Sequence, residues 1–362
     1  MRKSLLSIII MIGVIFLMNS CGKKDDPAST NTTVAQDKDF ITTSSNATIE
    51  CAKSVLNGIS AQTMIKFFGL SNGTSTNEIW CNSLTSALEK KMGKLALNNN
   101  TGKFDFSLHQ GKYDYDFGTK TFIKTSATGI EVNMPSDPNK TTNNVKISFT
   151  KYIDNSYTAN SKTIFLPTEC IAKVVLNGSE IANINYTGTF SSGSFPTPNN
   201  VKCSMTLSPH NYNITIQKIN NTQFSYNFSL GGDCNSSING MVYFQNEDYN
   251  NLDFESDLDK IELTYIKNQF KLDLKWDAKT YYQFSNPSTD DINSTLVSNI
   301  YSSGNKIGDL KFKKINGKTE VFINYKDGTS ENSTFVYDPF TSQIKSLFRP
   351  YAGSQVDKWF KF

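Results

Sequence analysis

Residues 201–230 read VKCSMTLSPHNYNITIQKINNTQFSYNFSL, and the period of this stretch decides the fold class. Val201, Cys203, Met205 and Leu207 alternate with Lys202, Ser204 and Thr206. Tyr212, Ile214 and Ile216 then alternate with Asn213 and Thr215, and Phe224, Tyr226, Phe228 and Leu230 with Ser225, Asn227 and Ser229. Side chains two apart share one face of a strand, so each run is apolar on one face and polar on the other. Strands with one wet face belong to antiparallel sheets, not to parallel sheets covered on both sides. Ser208-Pro209-His210 and Asn220-Asn221 are short enough to be the turns between them.

The same period extends outward in both directions. It recurs at Phe104–Leu108, Tyr113–Phe117, Val145–Phe149, Ala182–Phe190, Ile261–Tyr265, Phe270–Trp276 and Val321–Tyr325. Asn177-Gly178 and Asn316-Gly317 lie between such runs and suit the positive φ values of a type I′ hairpin. Residues 170–230 therefore read as a meander of about five strands. Ahead of the strands the period is helical. Asn46 can cap a helix carrying Ile49, Ala52, Val55 and Leu56 that stops at Asn57-Gly58, and Trp80, Leu84, Leu88 and Met92 form a stripe over 77–92. Asp291–Tyr301 predicts a short helix through Ile292, Leu296, Val297 and Ile300, and the apolar tail Trp359, Phe360 and Phe362 is expected to dock on the body. The expected architecture is mainly β (α+β): a large antiparallel sheet or sandwich, strands from about 104, with N-terminal helices at about 46–92 packed on one face. No linker divides residues 46–362, and a two-lobed version would split near residue 167.

The N-terminus carries an address. Met1-Arg2-Lys3 is cationic, and Leu5–Met18 is an apolar run of about 14 residues, short of the roughly 20 that span a bilayer, so residues 1–20 read as a secretory signal. Asn19-Ser20-Cys21 follows, and here the chain resembles the lipobox of bacterial lipoproteins. The resemblance implies a diacylated Cys21, removal of residues 1–20, and attachment to a membrane through acyl chains that bury about 0.8 kcal/mol per CH₂. Gly22-Lys23-Lys24-Asp25-Asp26 is similar to the Lys-plus-acidic export tag of Bacteroidota-type surface lipoproteins, which implies lipid anchoring at the outer membrane, on its periplasmic or cell-surface face. Residues 21–45 hold few large apolar side chains and read as a flexible tether to the 46–362 body.

Charge removes one class of function. The 362 residues carry 36 Lys and Arg against 33 Asp and Glu, and loss of residues 1–20, with Arg2 and Lys3 and no acid, lowers the formal net charge from +3 to +1. A near-neutral chain lacks the cationic field that holds nucleic acid.

With Cys21 acylated, Cys51, Cys81, Cys170, Cys203 and Cys234 remain, an odd number for an exported chain. Cys170 and Cys203 would flank the strand at 180–190, about 9.6 Å apart at twice the strand spacing, beyond disulfide reach of about 7 Å. Those two and Cys234 read as small buried side chains, which leaves Cys51 and Cys81 as the pair to test. His109 and His210, the only histidines, read as surface or turn residues. No Cys-x-x-Cys, His-Glu-x-x-His or Gly-x-Ser-x-Gly pattern occurs, so no catalytic residue or cofactor site is assigned. Asp253, Glu255, Asp257 and Asp259 alternate beside Asn250 and Asn251; in a curved loop they could hold Ca²⁺, and in a straight strand they line a solvent face, the simpler reading. Tyr281-Tyr282, Trp276 and Tyr265 could stack on sugar rings, although their positions favour core packing. These features point to a membrane-anchored, non-enzymatic binding or structural protein for a glycan, a peptide or an envelope protein. The alternatives are a lipid or lipoprotein carrier built on a half-barrel sheet, and an exported glycan hydrolase with two carboxylates roughly 5–9.5 Å apart.

Overall fold

The structure, a computed structural model, describes residues 32–67, 76–93, 102–194, 196–253 and 256–352. Cys21, Glu255 and the 359–362 tail lie outside the described residues. The chain is mainly β, with one large, open, mixed sheet of 16 strands and helices toward both ends. The first four strands are β1 (Gly111–Asp116), β2 (Thr121–Thr125), β3 (Ile130–Met134) and β4 (Val145–Ala159). The central meander is β5 (Lys162–Leu176), β6 (Ser179–Ser191), β7 (Thr197–Leu207), β8 (His210–Asn220) and β9 (Gln223–Leu230). Then come β10 (Ser236–Phe244), β11 (Leu258–Lys267), β12 (Phe270–Asp277) and β13 (Leu296–Ser302). The last are β14 (Asn305–Ile315), β15 (Lys318–Tyr325) and β16 (Ser330–Asn332). From β3 onward each strand lies beside the next in the chain; at the start β1 lies between β2 and β3, antiparallel to the first and parallel to the second.

Turn chemistry explains the long hairpins. Asn177-Gly178 and Asn316-Gly317 both take positive φ, 52° and 82°, and 50° and 81°, which is the type I′ geometry expected of them. The register of the meander places Tyr152, Cys170, Tyr186, Cys203 and Ile214 in one row across five strands. Cys170 and Cys203 thus flank Tyr186 on one face, half-buried, and burial pushes both thiols above their ordinary value. The opposite face carries cross-strand polar pairs such as Ser204 with Asn213 (2.9 Å) and Lys151 with Glu169 (2.8 Å), each worth a few tenths of a kcal/mol to about 1.

By compactness the chain divides into two units. One takes residues up to Ser54 together with Lys218–Arg349, the other Val55–Gln217. The boundary falls at 217/218 in β8, not near 167.

In the first unit, helices α1 (Val34–Asn57) and α7 (Thr334–Ala352) carry part of the core. Ile41 of α1 packs among Tyr265, Phe270, Leu272, Ile300 and Tyr325, and Phe40 stacks on Phe270 at 6.2 Å. Ile49 and Ala52 meet Phe340 and Ile344 of α7. Each fully buried Leu, Ile or Phe here contributes about 1.5–3 kcal/mol. In the second unit, α2 (Ile59–Phe67) is tied to the sheet by the Ser60 hydroxyl, which donates to the Ile181 carbonyl. Helix α3 (Thr76–Met92) sets Leu84 and Met92 against Tyr113, Phe122, Ile130 and Val132.

Five sequence expectations need correction. The tether was expected to run to residue 45, but α1 begins at Val34. Its start is a capping box: the Thr33 N–H donates to Gln36 Oε1 (2.8 Å) and the Gln36 N–H to Thr33 Oγ1 (3.3 Å). The core stripe was hidden because Asp37, Ser45 and Thr48 share it with Ile41 and Ile49. Residues 106–109 are not strand but a helical turn, α4 (Phe106–His109). His109 is consequently buried rather than on a wet face; its Nδ1–H donates to the Met92 carbonyl at 3.0 Å and its ring stacks on Phe104 at 5.4 Å. His210, expected in an exposed turn, opens β8 with no exposed surface. The helix expected over 291–301 ends at Thr295, and β13 follows with Leu296, Ser298, Ile300 and Ser302 facing inward. Finally, Cys51 does not pair with Cys81. It is joined to Cys234, Cα to Cα 5.5 Å, and Cys81 is buried elsewhere.

Candidate functional site

A concave site of the first unit forms between the β10–β11 loop and a short helix after β12. Trp276 is buried at the end of β12, and the next residue, Asp277, turns the chain by capping α5 (Ala278–Gln283). Its carboxylate accepts from the Thr280 N–H at 2.9 Å and the Thr280 hydroxyl at 2.7 Å. The cap turns α5 back against β11. Ala278 and Tyr281 are buried, while Tyr282 stays half-buried with its ring 5.7 Å from Trp276 and 5.8 Å from Tyr281, edge-on to both. Three rings fixed on one another give Tyr282 a defined orientation at little entropic cost.

The facing wall is held by one carboxylate. Asp257 Oδ2 accepts from Asn246 Nδ2 (3.0 Å) and the Asp253 N–H (2.8 Å), and the Asp257 N–H returns to the Asp253 carbonyl (2.8 Å). Asp248 closes the turn before it, accepting from the Asn250 N–H (3.2 Å) and Asn251 Nδ2 (2.6 Å). Tyr249 and Leu252 plug the loop into the core. Lys218 lies 4.4 Å from the Tyr249 ring, and burial pushes the Tyr249 phenol up to about 12.

Between these walls lies a cleft of about 430 Å³ whose lining includes Gln245, Asp253, Ser256, Lys279, Tyr282 and Gln283. That size suits a small ligand. The chemistry is one ring, the Leu258 side chain, two primary amides, a hydroxyl, an ammonium and a carboxylate. Such a set donates and accepts hydrogen bonds around a ring face, and it offers only one carboxylate among its described lining residues.

The residues singled out by sequence are thus partly united. Asp253 and Tyr282 line the same cleft, while Trp276, Tyr281 and Tyr265 are core, the first two packed against the Tyr282 ring. Asp257 organises the loop and Asp259 belongs to β11. Among the described residues no three His, Cys, Asp or Glu side chains converge as a cation site. Gln245, Ser256, Lys279 and Gln283 carried no sequence signal. Asp277-x-x-Thr280 was the available clue, since an Asx cap after a strand announces a turn into a helix. No helix among the described residues is long and apolar enough to cross a membrane. Compared with known proteins, the chain matches no family model, no curated protein and no solved structure.

Proposed function

We propose that this chain is a membrane-anchored, exported binding protein, without catalytic activity, that holds a segment of glycan in the Tyr282 cleft. The observation that carries the reading is the Tyr282 ring, locked by Trp276 and Tyr281 and bordered by Gln245, Ser256, Lys279 and Gln283. Sugars present an apolar C–H face and a rim of hydroxyls, which a fixed aromatic ring and side-chain amides match. Support for export and anchoring comes from the signal-like residues 1–20 and Cys21. A glycan hydrolase needs a pair of opposed carboxylates, and the described cleft lining supplies Asp253 alone. A carrier needs an apolar cavity between helices and sheet. Where α1 and α3 lie, that space is filled by Ile41, Phe270 and Tyr265 in one unit and by Leu84, Met92 and Phe122 in the other.

The test is a glycan array with the full chain in neutral detergent, followed by calorimetry on the best ligand. Tyr282→Ala is expected to weaken that ligand roughly tenfold, the worth of a stacked ring, with the circular dichroism of the folded chain retained. Binding unchanged in Tyr282→Ala, or release of a cleaved sugar product, contradicts the reading.

A further inference from the structure

The second unit holds a different concavity. Helix α3 turns Trp80, Leu84 and Met92 to the core, and on its other side Asn82, Ser83, Ser86 and Lys90 recur at helical spacing. With Lys91 they face Lys120, from the turn that joins β1 to β2, and Thr121, the first residue of β2, across a groove of about 610 Å³. Lys90, Lys91 and Lys120 are exposed.

No carboxylate is among the residues that line the groove. Eleven other lysines reach a carboxylate within 3.7 Å, while further described ones, Lys202, Lys314 and Lys318 among them, form no ion pair with a described residue. None of the three groove lysines forms an ion pair with a described residue. The nearest acid in the turn, Asp116, is turned to its own backbone, accepting from the Thr119 N–H at 2.8 Å. Lysines at a helix C-terminus complement its dipole, which accounts for Lys90 and Lys91. It does not account for Lys120, which reaches the same groove from a turn on another element at φ 53°. Three like charges lining one groove repel one another, and an anion bound among them relieves the repulsion. The side chains between the charges are hydroxyls and an amide, beside Ala87 and the exposed Ile79. The hydroxyls and the amide offer hydrogen bonds that a polyhydroxylated anion can use and an acyl chain cannot.

We infer that this groove binds an anionic glycan, a sugar chain bearing sulfate, phosphate or carboxylate groups, with the lysines on its charges and Asn82, Ser86 and Thr121 on its hydroxyls. The site is independent of the Tyr282 cleft. The test is calorimetry on the full chain in neutral detergent with a sulfated hexasaccharide, its desulfated counterpart, and dioctanoyl phosphatidylglycerol. Two triple variants are compared at equal charge: K90Q/K91Q/K120Q, and K202Q/K314Q/K318Q at exposed lysines outside the groove. The sulfated sugar is expected to bind and the desulfated one not. The groove triple should lose about tenfold or more in affinity and K120Q alone up to about fivefold, as for surface charge pairs, while the control triple keeps parental affinity. Equal losses in both triples, binding of the lipid headgroup in place of the sugar, or no binding of the sulfated sugar would each overturn the assignment.

Discussion

Tyr212, Tyr249, Tyr325 and Tyr337 have their phenols pushed up to about 12 by burial. In the unfolded chain a phenol ionises near 10. Because the folded value is the higher one, the contribution of these groups to stability is whole below pH 10 and is lost as pH rises from about 10 towards 12. Tyrosinate absorbance followed alongside circular dichroism should therefore show late ionisation coupled to a fall in unfolding temperature over that window. Ionisation of all tyrosines near pH 10 with the fold intact would contradict the packing described for these rings. The residue scale is also where sequence reading was weakest. Asp253 and Tyr282 could be singled out by type, but nothing in their spacing joined them, because the joining is done by the Asp257 hub and the Asp277 cap. His109 misled for a related reason: alternation over six residues resembles a strand, and the contact with the Met92 carbonyl that makes a helical turn of it comes from 17 residues away.

At the scale of elements, strands were legible and helix boundaries were not. Turns such as Asn177-Gly178 declare their backbone locally, and apolar alternation over eight or more residues has few other readings. The first turns of α1 were missed because half of its buried stripe is polar. Asp37 there is 1% exposed, accepts from the Thr32 hydroxyl at 2.6 Å and lies 3.7 Å from Lys326. The β13 strand was read as helix because its inward Ser298 looks polar. In the fold its hydroxyl serves as both donor and acceptor to the Leu310 backbone, at 3.3 and 2.7 Å, taking the place of ladder bonds. The disulfide belongs to this scale too. Cys51 of α1 and Cys234, in the 3₁₀ turn Gly232–Cys234 between β9 and β10, are 183 residues apart. Closing so long a loop restricts the unfolded chain by an amount on the order of 5 kcal/mol in the chain-entropy view. Cys51→Ser is expected to lower stability by several kcal/mol, and peptide mapping under non-reducing conditions should recover Cys51 linked to Cys234. Recovery of a Cys51–Cys81 peptide would refute the bridge.

For the whole molecule, one open sheet of 16 strands is what a long run of hairpins builds when each strand pairs with the next. The fold class was legible from that run. The division at 217/218 was not, since it falls inside a strand and leaves no change of composition behind. The proposed anchor is likewise a property of the whole chain. Cys21→Ala should move the protein from the membrane fraction to the soluble fraction of the cell envelope, and a mutant that stays with the membrane would refute lipid attachment. The central proposal, that the Tyr282 cleft is a glycan site, is tested most directly by hydrogen–deuterium exchange of the full chain with and without the best array ligand. Slowed exchange confined to residues 245–258 and 278–283 is the expected result. Unchanged exchange in both segments, with protection elsewhere or nowhere, would contradict it.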